Sequence, residues 1–170
     1  MADEGEGHHP HVYGEIEDDP FEKICDVELK HKEDCQFDVR FRTKEGDLLM
    51  DKPFQVGVGY GPEAVTMLNM STTYCMTASL NYYLKKARVE PTTLRARGHV
   101  DMRLTEEKFR RVKGMEIDIR IEVTEKERKR LERALERFTD FCIISESIRG
   151  SFPITVRVHH PWGVHYSVME

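Results

Sequence analysis

Residues 61–88 read GPEAVTMLNMSTTYCMTASLNYYLKKAR, and the fold turns on how this stretch is disposed. The spacing predicts one long helix with Cys75 in its middle. Pro62 suits the first helical position, where its missing N–H has no partner to lose. Glu90-Pro91 predicts the stop, because the residue before a proline is pushed out of helical geometry. Between them Val65, Leu68, Met70, Tyr74, Met76, Leu80, Tyr82 and Leu84 fall on more than one face, with Ser and Thr in the gaps. Such a pattern describes a helix buried between layers.

Strands flank this helix on both sides. Cys25, Val27 and Leu29 alternate with polar residues, as do Phe37, Val39 and Phe41, which predicts a β-hairpin. Leu48 to Met50 predicts a short third strand, and Phe54 to Gly61 a glycine-rich loop into the helix. After the helix, Leu94, Ala96, Gly98, Val100, Met102 and Leu104 alternate with charged residues. Met115, Ile117, Ile119, Ile121 and Val123 do so again, which predicts an antiparallel pair with one wet face. Thr124 with Glu127 predicts a capping box opening an amphipathic helix. Leu131, Ala134, Leu135, Phe138 and Phe141 lie on its inward side, and Cys142 extends that side. Ser145 to Arg149 predicts a short helix ended by Gly150. Ile154, Val156 and Val158 predict the last long strand, and the tail a short edge segment. One sheet covers only one side of a helix that is apolar all round, so the expected fold is α+β and dimerises through that helix.

At 170 residues the chain suits one domain or one protomer of an intertwined dimer. Residues 1–20, acidic and His-rich without periodicity, predict a flexible extension before a domain spanning 21–170. A net charge of -5 weighs against nucleic acid. No run approaches the roughly 18 apolar residues of a membrane helix, and no signal peptide is recognisable, so a cytoplasmic chain is expected. The four cysteines, Cys25, Cys35, Cys75 and Cys142, are widely spaced and read as free thiols. No cofactor or metal is expected. His8, His9 and His11 read as part of a polar tail, and His159, His160 and His165 as surface residues, with a metal site the rival reading of either group.

The segment Leu-Leu-Met-Asp-Lys-Pro (48–53), the glycine loop into Gly61-Pro62, the block to Cys75 and Phe-Cys-Ile-Ile-Ser (141–145) together resemble the OsmC/Ohr family, the osmotically inducible and organic-hydroperoxide-resistance proteins, over about residues 24 to 158. Gly61 to Leu68 lies over the family's Gly-Pro-Ser-Pro-Leu-Glu-Leu-Leu type segment, and Cys142 to Ser145 over its Cys-Pro-x-Ser type segment. The resemblance implies an intertwined homodimer, with antiparallel sheets wrapped around long central helices. It further implies reduction of organic hydroperoxides by a cysteine pair, in which Cys75 attacks the peroxide, Cys142 resolves it and a cellular dithiol restores both.

Attack needs a thiolate, and its product is a sulfenic acid that a second thiol turns into a disulfide. Taken by itself Cys75 reads first as a small buried core residue, and the resemblance is what turns the reading toward chemistry. It lies roughly 20 Å from the helix start at about 1.5 Å per residue, beyond the reach of the helix dipole. The family's activating arginine and glutamate have no match here. Thr66 stands where the glutamate would be, and His31 to Gln36, the matching loop, holds no Arg; Arg40 and Arg42 read as outward strand residues. These departures predict a slow thiol at Cys75. They also keep open a second function, a non-catalytic protein on the same scaffold that holds an apolar or acyl ligand in a pocket beside Cys75.

Overall fold

The computed structural model describes residues 27–31, 37–41, 48–52 and 56–170, the first two stretches as backbone only. The extension 1–20, Cys25, Cys35 and Arg42 lie outside the described residues. In chain order come β1 (Val27–His31), β2 (Phe37–Phe41), β3 (Leu48–Met50), α1 (Ala64–Lys86), β4 (Thr93–Leu104), β5 (Arg110–Glu122), α2 (Arg128–Leu135), α3 (Ile143–Ile148), β6 (Ile154–His160) and β7 (Gly163–Met169).

The predicted hairpin is present, with Leu29 opposite Val39, and β3 joins it antiparallel at β2. A second sheet has the order β4-β5-β6-β7. Its β4 and β5 are the antiparallel pair that their alternation predicts, Gly98 lying opposite Ile117. Strand β6 runs parallel to β5. Parallel neighbours need a crossover of a dozen or more residues, and the segment carrying α2 and α3 supplies it. The tail forms more than the short edge segment expected of it, since β7 pairs along the whole of β6.

One face of this second sheet is covered and the other is wet. Ile117, Ile119 and Ile121 of β5 and Ile154, Val156 and Val158 of β6 are fully buried against Met76, Leu80 and Leu84 of α1 and Leu131 and Ala134 of α2. Each such side chain contributes about 1.5–3 kcal/mol on burial. The capping box at Thr124 forms as predicted. The Glu127 carboxylate accepts the Thr124 N–H at 3.0 Å and hydroxyl at 2.8 Å, and it also accepts the Glu90 N–H at 3.0 Å. These bonds, that from Glu90 foremost, hold its pKa below the usual carboxylate value.

Helix α1 is shorter at both ends than the prolines suggest. It starts at Ala64 with Glu63 as N-cap, and Pro62 instead offers its C=O to the Asp51 N–H at 3.2 Å. The buried Asp51 carboxylate accepts the N–H groups of Lys52, Val58 and Tyr60 at 2.7, 3.2 and 3.1 Å, so the loop before the helix is tied to the end of β3. At the other end Arg88 takes a left-handed conformation, φ 56°. The Val89 N–H reaches Leu84 O at 2.9 Å and the Arg88 N–H reaches Lys85 O at 3.0 Å, a Schellman closure sealed by the buried Leu84 and Val89. The helix has therefore ended before Pro91 acts on it.

Within one chain α1 is buried on one face, as expected of a helix that one sheet covers: Thr72, Met76, Ser79, Leu80 and Leu84 are inside, while Met70, Tyr74 and Tyr82 are 56%, 74% and 48% exposed. Two burial expectations are corrected. On β4 the inward set is covered in part, with Ala96, Met102 and Leu104 exposed. Phe141 does not share the inward side with Phe138, because α2 ends at Leu135 and a 3-10 turn, Thr139–Phe141, swings its ring outward. Among the described residues no helix is long and apolar enough to cross a membrane.

Gly98 is where α1 and β4 meet most closely. The Asn69 side-chain amide donates to Gly98 O at 3.1 Å, and a Cβ at this position would overlap the Asn69 amide oxygen and the Thr73 hydroxyl. Gly98→Ala is expected to cost about 1–3 kcal/mol through this overlap. Gly114→Ala, whose added carbon meets nothing closer than Pro153 O at 3.4 Å, should cost less. Urea midpoints of the two variants check the order.

Candidate active site

Cys75 projects from the middle of α1, and Cys142 heads α3 as its N-cap residue. Residues distant in sequence thus meet: the two side chains adjoin closely enough for a thiol–thiol hydrogen bond. Both are free thiols. Their surroundings differ. Cys142 is fully buried, whereas Cys75 is partly exposed at the border between the covered and open faces of α1.

Burial pushes the Cys142 thiol above its ordinary pKa, and the neighbouring Cys75 adds to the rise. The hydroxyl and backbone N–H of Ser145, one helical turn on, partly offset it. Ser145 is itself fully buried, and its hydroxyl also lies 3.5 Å from Cys142 O. Among the described residues no Lys or Arg acts on this sulfur. Ser145 was visible in the sequence only as the last residue of a motif. The signal for its role is its spacing, three residues after a cysteine that opens a helix.

The face of α1 around Cys75 carries no charge. One or two turns away lie Leu68, Ser71, Thr72, Ala78, Ser79 and Tyr82. Thr66, nine positions earlier, is two and a half turns away and so projects from the opposite side of the helix. There, Thr66, Asn69, Thr73 and Thr77 of α1 and Ala96 and Gly98 of β4 line an open groove of about 400 Å³. The groove includes neither cysteine, so the apolar pocket expected beside Cys75 is not this one. What flanks the pair instead is aromatic. Phe141, immediately before Cys142, stacks on Tyr82 with centroids 4.8 Å apart and planes 9° from parallel, and meets Tyr83 edge-on at 5.8 Å. Sequence reading had placed Phe141 in the core and gave no sign of this stack.

The C-terminal histidines do not converge. His159 and His160 are consecutive in a strand and take opposite faces. His159 Nε2 lies 2.8 Å from Asp118 Oδ1 on the wet side, where Arg157 also pairs with Glu116 at 3.1 Å and Asp118 at 3.4 Å. The His159 bond, with help from Arg157, holds Asp118 below the usual carboxylate range. His160 and His165 face inward. Among the described residues no three His, Cys, Asp or Glu side chains group to hold a metal ion.

The family model for OsmC-like proteins matches residues 57–157, from the loop before α1 to the middle of β6. The chain belongs to the OsmC-like family. No curated protein matches it. Solved structures do. A hypothetical protein from Aquifex aeolicus VF5 aligns over 82% of this chain and 97% of its own, at 19% identity and a TM-score of 0.65. An OsmC-like protein from Mycoplasma pneumoniae aligns over 82% and 99%, at 14% identity and 0.64. An organic hydroperoxide resistance protein OsmC from Legionella pneumophila aligns over 81% and 96%, at 14% identity and 0.59. Likeness at these identities establishes the OsmC-like fold, α+β with a long helix against antiparallel-rich sheets.

If the Ser145 hydroxyl stabilises the Cys142 thiolate, Ser145→Ala raises the Cys142 pKa further. The check is thiolate absorbance against pH in a protein whose other cysteines are Ser. An unmoved titration would show that the backbone N–H alone supplies the offset.

Proposed function

We propose that this OsmC-like protein is a thiol peroxidase that reduces organic hydroperoxides in oxidative or osmotic stress defence, acting as a cytoplasmic homodimer. The observation that carries this reading is the asymmetric thiol pair, one cysteine partly exposed and its neighbour fully buried. The Legionella relative's description as an organic hydroperoxide resistance protein supports the substrate class.

The Cys75 thiolate attacks one peroxide oxygen and the O–O bond breaks. The alcohol leaves with a proton from solvent, and Cys75 becomes a sulfenic acid. The Cys142 sulfur then attacks that of Cys75; water departs and a disulfide forms. A cellular dithiol reduces the disulfide by exchange and is itself oxidised. Burial suits Cys142 to the second step, since a thiol with a raised pKa and no access to solvent is a poor target for free peroxide.

A coupled assay with cumene hydroperoxide or hydrogen peroxide, and dithiothreitol or dihydrolipoamide, tests the activity. Cys75→Ser should fall to background. Cys142→Ser, treated with peroxide when no dithiol is present, should consume about one equivalent and leave Cys75 as a sulfenic acid that dimedone traps, where the parent chain forms a disulfide. No reaction at any pH by a folded protein would favour the binding-protein reading, with the groove between α1 and β4 as the place to look.

The exposed Met70, Tyr74 and Tyr82 on α1, with Ile143 76% exposed nearby in the fold, support the homodimer. Sedimentation at micromolar concentration is expected to give twice the chain mass of 19.9 kDa. A stable monomer would overturn both the assembly and any site shared between subunits.

A further inference from the structure

The inner face of the β6–β7 hairpin carries two imidazoles that the thiol chemistry does not use. His160 ends β6, its Nδ1 is buried without a hydrogen-bond partner, and its ring lies 5.9 Å from that of Trp162 in the hairpin turn. The Arg128 guanidinium at the start of α2 sits over the Trp162 ring, 5.5 Å from its centroid. On β7, His165 lies 6.2 Å from the ring of the fully buried Phe138, with Ser167 Oγ 3.3 Å from its Nε2. The hairpin therefore meets the α2 segment through Trp162–Arg128 at one end and His165–Phe138 at the other. Phe138 leads directly to the thiol pair: its C=O accepts the Phe141 N–H at 3.3 Å, and the Cys142 N–H bonds to Thr139 O at 3.1 Å.

We propose that the contact between the β6–β7 hairpin and the α2 segment is an acid-operated latch, which opens when His160 and His165 take up protons and thereby uncovers Cys142. The inference does not depend on peroxidase activity. Both imidazoles are held neutral, their pKa values lowered by burial, and for His160 also by His165, Arg128 and His159; Glu132 opposes this. Protonation would place a cation at His160 beside Arg128, with Glu132 the opposing anion, and a second at His165 against the buried Phe138 ring. The sign follows. A histidine with a depressed pKa in the closed form destabilises nothing above its free value of about 6.5, and it favours the open form as pH falls through the range below that. For each imidazole whose pKa rises by one unit on release, the opening constant grows by up to about tenfold in acid. The Asp118 carboxylate on the wet face does not respond in this window, since its pKa is held below the usual range.

The test uses the full chain with Cys25, Cys35 and Cys75 changed to Ser, so that Cys142 alone reports. Its reaction with dithiodipyridine, which remains reactive in acid, is measured between about pH 7.5 and pH 5 and divided by the rate of the urea-unfolded chain at the same pH. The ratio is expected to rise about tenfold or more across this range, while far-UV circular dichroism stays constant. The double variant His160→Gln, His165→Gln should give a flat ratio. Should it fail to fold, hydrogen exchange of the parent chain decides: α2 and residues 138–142 should lose protection in acid while β4 and β5 keep theirs. A ratio independent of pH, an acid response retained after both histidines are replaced, or loss of protection in all strands together would overturn the latch.

Discussion

Everything near the thiol pair depends on how closely α1 lies against the sheet at Gly98. A helix seated on a strand ordinarily stands off by the thickness of a side-chain layer. Here the strand residue has no side chain, and the Asn69 amide bonds its carbonyl directly. This contact sets the rotation of α1 about its axis, because Asn69, Thr73 and Thr77 must point at β4. A half-turn away, the same rotation turns Cys75 toward the α3 side. Met76, Leu80 and Leu84, in between, are committed to the sheet, where each loses nearly all its contact with water.

The crossover from β5 to β6 brings Cys142 to the same place. Parallel pairing obliges the chain to climb over the covered face of the sheet, and α2 and α3 fill that path. The break after Leu135 matters more than either helix. A continuous helix would carry residues 141 and 142 past the sheet on one line; the 3-10 turn sends Phe141 out against Tyr82 and Cys142 in against Cys75. Desolvation then outweighs the Ser145 donors, since the net effect on Cys142 is a rise. The pair is thus polarised by burial rather than by charge, with its accessible member on α1 and its protected member behind.

Much of this was legible in the residues. Strict alternation over β4 and β5 settled their pairing, because a period of two admits no other disposition of Ile117, Ile119 and Ile121. Thr124 and Glu127 announced their own capping box. The two cysteines could be linked only through a resemblance, since nothing in their spacing implies contact. Helix ends were read wrongly at both prolines, for reasons that lie elsewhere in the chain: Asp51 claims Pro62, and the left-handed Arg88 closes α1 before Pro91. The Phe138–Phe141 break was hidden because an amphipathic pattern runs smoothly through it. That β6 is parallel, and β7 a full strand, follows from tertiary contacts of the crossover and not from local periodicity.

The spread of apolar residues around α1 and the uncharged character of its face at Cys75 are two sides of one physical problem. The residues of α1 within two turns of Cys75 are uncharged, and the helix dipole is spent within its first turn. Within the chain, the largely apolar side chains Met70, Tyr74 and Tyr82 stay 48–74% in water. Covering them with a second copy would gain about 25 cal/mol for each Å² of apolar surface removed. It would also lower the dielectric around Cys75, where any cation delivered by the covering surface acts far more strongly than it would through water. Without such a cation the same covering would disfavour the thiolate. In the proposed dimer, assembly and activation of Cys75 are therefore a single event, decided by what charge the covering surface brings with it.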